Sequence, residues 1–380
     1  MGSYHGKFSP QAANERINCR LCGGKTTVKL KLKDTPIANA LQNEPGEVEK
    51  FPLWLAECSC GHIQLRHVIP DEVVFPQGGT SKSERIPYYY QTPAANKVYL
   101  TEQANRLRKT YPSAETVVEI GSNNGTYLDI LHDAGFSKLI GVDPCGTGTT
   151  FWKMPFSTST VQLIRDKADL VLANNVFAHI DDLNDVFDAV KVILEPEGAL
   201  IFEVQYFIDM AKDGLFDMIY HEHRDYHTIN PLLKFILSKG MYPNKVERIP
   251  NHGGSIRVTA SYSDDVAYPI NETIDWDAFE SKIERTCSRK VKPGTVLFGA
   301  PAKATTLIHN MDCIENIAYC VDDTPIKQGK YLPGTDIKIY PTDKLLSFNS
   351  HKGDVILTAW NYKDVIQPRF PNINFINPHA

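Results

Sequence analysis

Apolar residues in the middle of the chain form short β-branched runs that alternate with helically spaced runs. Val117, Val118 and Ile120 read as a buried strand, and a helix is predicted from Tyr127 to His132. Further buried strands are predicted at 138–143, 169–174 and 199–204. Between the last two, apolar side chains recur at helical spacing from Leu183 to Leu194, which predicts an amphipathic helix. Strands that alternate with helices predict an α/β fold with a doubly wound parallel sheet.

The same alternation recurs towards the C-terminus. Strands are predicted at 295–299, 317–322 and 354–359, and Pro301 stands near the start of a helix. This pattern predicts a second, smaller Rossmann-like domain. We therefore expect three units: a small N-terminal module at 1–70, a central domain at 71–265 and a C-terminal domain at 266–380.

A glycine turn follows the first central strand. Its spacing, Glu119-x-Gly121-x-x-x-Gly125, differs from the Gly-x-Gly-x-x-Gly of dinucleotide binders and is typical of S-adenosylmethionine (SAM) methyltransferases. The next strand ends in Asp143, where a Rossmann-like fold places a carboxylate on ribose hydroxyls. Ligands of such sheets bind at the carboxyl ends of the strands. The candidate cofactor-binding residues are Glu119, Gly121, Ser122, Asn123, Gly125, Asp143, Asn174 and Asn175.

Four cysteines near the N-terminus form two closely spaced pairs. Cys19 and Cys22 make a Cys-x-x-Cys knuckle, whereas Cys58 and Cys60 are separated by one residue. Two such pairs predict a tetrahedral thiolate site for a structural Zn²⁺. His62 is an alternative ligand that can replace one sulfur, because the second pair is shorter than usual.

Composition narrows the functional classes. The formal net charge is −5 and no long basic run occurs, which argues against nucleic-acid binding. No apolar run reaches about 18 residues, so no transmembrane helix is predicted. Eight cysteines over this length do not suggest a secreted disulfide framework. We expect a cytoplasmic monomer that binds neither nucleic acid nor membrane.

Taken together, these motifs make the chain resemble the sugar C-methyltransferases that act on nucleotide-linked 4-keto deoxysugars. The resemblance spans nearly the full length. Besides the two cysteine pairs and the glycine turn, it rests on stretches at 175–183, 220–223, 249–255, 298–303, 327–334 and 359–362. It implies that C3 of the sugar loses a proton to give an enolate, which then attacks the methyl group of SAM.

The resemblance also implies catalytic roles in the segment Tyr-His-Glu-His. His223 is the expected base, since a histidine can accept a proton near neutral pH. Glu222 is expected to orient or polarise the histidines. Tyr220 and His179 are expected to donate hydrogen bonds to the enolate oxygen. His221 is the rival base, two residues away.

Other interpretations stay open at this point. Tyr90 lies in a tyrosine-rich stretch that is either a packed loop or a substrate-facing lid, and we count it as a candidate catalytic residue. Methylation of oxygen or nitrogen in a small molecule would need less enolate stabilisation. A non-catalytic zinc-ribbon scaffold is the third possibility, although the intact glycine turn disfavours it.

Overall fold

The computed structural model describes residues 14–74, 94–147, 151–348 and 353–380. The strands are β1 (Asn14–Glu15), β2 (Thr26–Thr35), β3 (Phe51–Cys58), β4 (Ile63–Leu65), β5 (His67–Val68), β6 (Thr116–Ile120), β7 (Lys138–Val142), β8 (Phe151–Trp152), β9 (Ala168–Asn174), β10 (Leu194–Gln205), β11 (Asp225–Tyr226), β12 (Tyr242–Ile249), β13 (Ser255–Ser261), β14 (Thr295–Phe298), β15 (Ile317–Val321), β16 (Ile339–Tyr340), β17 (Val355–Leu357) and β18 (Phe375–Ile376). The helices are α1 (Asp71–Val74), α2 (Ala94–Thr110), α3 (Thr126–Asp133), α4 (Thr158–Val161), α5 (Leu183–Ile193), α6 (Phe207–Asp213), α7 (Ile229–Ser238), α8 (Trp276–Cys287), α9 (Ala302–Asn310) and α10 (Lys363–Ile366).

The central sheet has seven strands in the order β12-β13-β10-β9-β6-β7-β8. From β10 to β8 every neighbouring pair is parallel, as the alternating pattern predicts. The doubly wound fold is confirmed, and its sheet ends at one edge in β13, which runs antiparallel to both β10 and β12. The five residues between Ile249 and Ser255 are too few for a parallel crossover, so they join β12 and β13 as a hairpin.

Alternating residues of β6 pack into cores on opposite faces of this sheet. Val118 and Ile120 belong to one core, and Val117 belongs to the other. Helix α5 covers the first face, and its N-cap Asp182 accepts hydrogen bonds from the N–H groups of Asn184 and Asp185. These two cores hold the carboxyl end of β6, where the glycine turn begins.

A second sheet, in the order β11-β4-β3-β2, contains the N-terminal module. Its edge strand β11 comes from the segment that follows the Tyr-His-Glu-His motif, with Asp225 opposite Gln64. The N-terminal sheet is therefore completed by residues that lie within the predicted central domain. The predicted boundary at residue 70 remains a prediction.

The C-terminal sheet has five parallel strands in the order β16-β15-β14-β17-β18, which is the predicted second Rossmann-like unit. Helix α9 docks this unit onto the others. The hydroxyl of Thr306 donates to the carbonyl of Ile219 at 2.7 Å, and that of Thr305 donates to the carbonyl of Ala38 at 2.9 Å. One helix thus contacts both the N-terminal module and the residue that precedes the Tyr-His-Glu-His motif.

Among the described residues, no helix combines the length and apolar character that a membrane crossing requires.

Candidate functional site

The glycine turn begins immediately after β6, at the carboxyl edge of the central sheet. Gly121 has φ 73°, and a Cβ there would lie 2.8 Å from Cγ2 of Val176. Gly125 also has positive φ and forms the N-cap of α3. Because both positions favour glycine, no side chain there blocks the close approach of a ligand to the turn, while the N–H groups of Gly121 and Gly125 donate to the carbonyls of Val142 and Ser122.

Asp143 closes the turn from the neighbouring strand. Its Oδ2 accepts a hydrogen bond from the N–H of Asn123 at 2.9 Å, and its Oδ1 accepts from the N–H of Cys145 at 2.7 Å. Asn123 itself adopts positive φ, at 54°. A carboxylate oxygen can accept more than one hydrogen bond, so Asp143 can still receive hydroxyl donors. The expected ribose contact is compatible with this arrangement.

Two buried side-chain atoms, one in the turn and one near the end of β6, have no partner among the described residues. They are the Oγ of Ser122 and the Oε2 of Glu119. Burial, reinforced by nearby Asp143, raises the pKa of Glu119 to about 8. Unsatisfied buried polar atoms beside a glycine cradle are what a polar cofactor would satisfy, so the turn fits SAM.

The residues expected at the end of β9 flank the same edge. The side-chain amide of Asn174 exchanges hydrogen bonds with that of Gln103 at 3.3–3.4 Å. Asn175 adopts positive φ, at 55°, and its N–H donates to the carbonyl of Glu203. This turn directs Val176 against Gly121, so the structure brings the predicted cofactor residues of β6 and β9 together.

The four predicted cysteines converge. Their sulfurs all lie within 4.8 Å of one another. The Cys19–Cys60 and Cys22–Cys58 sulfur pairs are 3.8 and 3.5 Å apart. Tetrahedral Zn²⁺ with Zn–S bonds of about 2.3 Å places sulfurs about 3.8 Å apart, so the set fits zinc. A Cβ at Gly24 would lie 3.3 Å from two of these sulfurs, which explains the glycine after the first knuckle.

His62 is not part of this sulfur set. Its Nε2 lies 2.9 Å from Oδ1 of the buried Asp225. The alternative in which His62 replaces a cysteine ligand is therefore wrong. With four sulfur ligands available, the site has the closed donor set of a structural zinc.

The candidate catalytic residues form a buried cluster. Nε2 of His223 lies 2.7 Å from the hydroxyl of Tyr220, and Nδ1 lies 3.1 Å from the carbonyl of Met218. A carbonyl only accepts hydrogen bonds, so Nδ1 carries the proton and Nε2 is the free base. Burial, together with His179, holds the pKa of His223 well below its ordinary value. His223 is therefore neutral near pH 7.

The ring of His179 lies 4.8 Å from the ring of His223 and is tilted by 54° against it, but the hydrogen bonding of His179 differs from expectation. Its Nδ1 donates to the carbonyl of Glu222 at 2.7 Å. Burial lowers the pKa of His179 to about 4, so the ring is neutral and Nε2 can only accept. In this tautomer Nε2 carries no proton, so the donor role expected of His179 towards an enolate oxygen would require a second proton on the ring and stays a prediction.

Glu222 and His221 face the N-terminal module. The carboxylate of Glu222 accepts long hydrogen bonds from the backbone N–H and side-chain amide of Asn39, at 3.3 and 3.4 Å. The ring of His221 packs edge-on against Phe51 with centroids 5.9 Å apart. His221 and His223 thus point to different neighbours, which favours His223 for the candidate site.

Sequence reasoning missed a buried polar cluster in the C-terminal unit. The buried Lys303, in the first turn of α9, donates to Oδ1 of Asn361 at 2.7 Å and lies 3.5 Å from the ring centre of Trp360. Burial lowers the pKa of Lys303 to about 7. The indole N–H of Trp360 in turn donates to Asp217 at 2.7 Å. The spacing of residues along the chain cannot predict that a lysine is buried beside an aromatic ring.

The remaining candidate, Tyr90, lies outside the described residues.

Comparison with known proteins adds three family matches along the chain. A zinc binding domain matches residues 19–75, a methyltransferase domain matches residues 94–234 and a C-methyltransferase C-terminal domain matches residues 277–374. The C-methyltransferase NovU of Streptomyces niveus is 28% identical, and the match covers 90% of each protein.

Solved methyltransferases resemble part of the structure. An O-methyltransferase family protein from Burkholderia thailandensis is 14% identical with a TM-score of 0.32, covering 44% of this chain and 60% of that chain. The magnesium protoporphyrin IX methyltransferase ChlM from Synechocystis PCC 6803, with bound SAH, is 14% identical with a TM-score of 0.35. The latter match covers 46% of this chain and 90% of that chain.

Proposed function

We propose that this chain, which is similar to a C-methyltransferase over 90% of its length, methylates C3 of a nucleotide-linked 4-keto deoxysugar through an enolate. The observation that carries the proposal is the orientation of His223. Its Nδ1–H is held by the carbonyl of Met218, and its Nε2 is left as a base beside the hydroxyl of Tyr220. Carbon is a poor nucleophile until it loses a proton, and this pair offers a base and a donor together.

SAM, when bound, supplies an electrophilic methyl carbon. The turn after β6 would hold it through Gly121, Ser122, Asn123 and Gly125, with Asp143 placed for ribose hydroxyls. This site lies at the carboxyl edge of the central sheet, where Asn175 and Val176 also lie. From the same edge the chain continues through Val176 to His179.

His223 removes the proton from C3 at Nε2. For this step the hydroxyl of Tyr220, which donates to Nε2 in the free protein, turns to the oxygen at C4. There it stabilises the negative charge that develops when C3 is deprotonated. The ring of His179 lies beside this imidazolium, with ring centroids 4.8 Å apart.

The low pKa of His223 fits a transient base. A neutral imidazole is ready to accept a proton at pH 7, and a proton held in so buried a site is readily given up after methyl transfer. Glu222 acts in this scheme through its main-chain carbonyl, which fixes the tautomer of His179.

The decisive experiment separates deprotonation from methyl transfer. The protein is incubated with nucleotide 4-keto sugars in deuterated water, without SAM, and deuterium at C3 is measured by mass spectrometry. SAM is then added and the methylated product is identified. His223→Ala should lose about 10²–10⁴-fold in both exchange and methylation.

His221→Ala is the matched control, since His221 is equally buried but packs on Phe51. It should retain most of each activity. Retained exchange in His223→Ala would remove the role from His223. A product methylated on oxygen or nitrogen, with no exchange at C3, would overturn the proposed reaction.

A further inference from the structure

One arginine connects the zinc knuckle to the candidate catalytic residues. Arg20 stands between Cys19 and Cys22, and its side chain is only 4% exposed. Its backbone N–H donates to Oε1 of Gln64 at 2.9 Å, which fixes the knuckle to strand β4. The guanidinium points away from the sulfurs and towards the central domain.

The partners of this guanidinium belong to two separate segments. One arm forms an ion pair with the carboxylate of Asp225, two residues after His223. The other arm donates to the main-chain carbonyls of Ile180 and Asp181, directly after His179. A planar guanidinium has a fixed fork of donors, so it sets the relative position of both segments.

The same two segments are also joined directly to each other. The N–H of Arg224 donates to the carbonyl of Ala178 at 2.7 Å, and Nδ1 of His179 donates to the carbonyl of Glu222 at 2.7 Å. Arg20 therefore completes a network that joins the two segments carrying His179 and His223.

Asp225 is a buried charge, and the network needs Arg20 to neutralise it. The carboxylate is fully buried. Burial alone would raise its pKa, but Arg20 and the hydrogen bond from His62 lower the pKa of Asp225 to about 2. His62 follows the second cysteine pair, so both knuckles contact one carboxylate. A buried charge that loses its partner must move or take up a proton, and either change would displace β11.

We propose that Arg20 is a positioning residue through which the zinc knuckle sets the geometry of His179 and His223. This inference rests on the proposed function of the two histidines, and it gives the zinc module a role in catalysis that a purely stabilising module would lack. A displacement of about 1 Å in a catalytic group can cost about 100-fold in rate.

The test compares Arg20→Lys with Arg16→Lys. Lysine keeps the charge of Arg20 but loses the fork that reaches both segments. Arg16 is a matched control, because it contacts the same loop through Asp181 in an exposed ion pair at 2.9 Å. Zinc content, SAM affinity, kcat and KM are measured for each variant. The imidazole signals of His179 and His223 are followed by NMR with labelled histidine.

The inference predicts that Arg20→Lys binds one zinc and keeps its SAM affinity within about twofold. Its kcat should fall by about 10–100-fold with a smaller change in KM, and both imidazole signals should shift. Arg16→Lys should match the wild type. Unchanged kcat and unchanged imidazole signals in zinc-loaded Arg20→Lys would overturn the inference.

If Arg20→Lys loses zinc or fails to fold, Asp225→Asn replaces it as the test. This change removes the partner charge and leaves every knuckle residue in place. The same imidazole shifts would support the inference, and unshifted signals would overturn it. The NMR comparison needs no substrate, so an inactive wild type would refute the proposed substrate and leave the test of Arg20 intact.

Discussion

The contact between Gly121 and Val176 gives a prediction whose size follows from the structure. Alanine at position 121 would keep φ at 73°, which costs an L-residue about 1–2 kcal/mol. Its Cβ would also lie 2.8 Å from Cγ2 and 3.0 Å from Cβ of Val176. Overpacking of this kind costs about 1–3 kcal/mol. Gly121→Ala should therefore lower the free energy of unfolding by roughly 2–5 kcal/mol.

Gly240 provides a control with the same backbone conformation. Its φ is also 73°, but a Cβ there would meet nothing within 4 Å. Gly240→Ala should cost only the backbone part, about 1–2 kcal/mol. The difference between the two variants isolates the clash with Val176.

A double-mutant cycle tests the clash directly. Val176→Ala removes both Cγ atoms but keeps the Cβ at 3.0 Å, so it should recover part of the about 1–3 kcal/mol overpacking cost in the Gly121→Ala background. Stability is measured by urea unfolding, and SAM affinity is measured by calorimetry. We expect Gly121→Ala to weaken SAM at least about tenfold, because the turn must shift to relieve the clash. Equal midpoints for the two glycine variants, with unchanged SAM affinity, would refute this reasoning.

Three further outcomes follow from the zinc site and the buried acids and bases. Chelation of zinc should lower the melting temperature of the N-terminal module, and metal-free protein of full stability and activity would contradict this. Burial lowers the pKa of His227 to about 4, so protonation of this histidine favours the unfolded state. Its contribution to the free energy of unfolding is complete above pH 6.5 and decreases by about 3 kcal/mol as pH falls towards 4. His227→Phe should reduce this loss of stability at acid pH, as measured by thermal melts. The raised pKa of Glu119 has the opposite effect, since its contribution to stability is present below pH 4.5 and is lost as pH rises towards 8. The stability of Glu119→Gln relative to the wild type should therefore increase between pH 6 and pH 8. A difference in stability that stays constant over this range would argue against a neutral Glu119.

The sequence predicted those helices, strands and turns that are determined by residues close together in the chain. The strand from Val117 to Ile120, the glycine turn and helix α3 follow one another within about 20 residues, and each has a clear physical preference. The second Rossmann-like unit was predicted for the same reason. The cysteine cluster was also predictable, because ligand chemistry limits what four closely paired thiols do.

Contacts between distant segments were not predictable. Strand β11 has two residues and no periodic pattern, so its pairing with β4 leaves no signal in the sequence. The tautomer of His179 depends on one carbonyl, and the surroundings of Lys303 depend on how α9 docks. The antiparallel direction of β13 was not predictable either, because a glycine turn such as that at 249–255 is compatible with a hairpin and with a ligand site. The proposed roles of the site residues stay predictions.

The pairing of β4 with β11 affects the order in which the chain can fold. His62 and Asp225 are 163 residues apart in sequence, and Arg20 and Asp225 are 205 apart. During synthesis the N-terminal module emerges first, yet strand β4 keeps an open hydrogen-bonding edge until Tyr226 has left the ribosome. Such long-range pairing slows folding and leaves an edge open to other strands meanwhile. Early zinc binding would hold β2 to β4 together through this interval, so zinc supply during expression should influence the yield of folded protein.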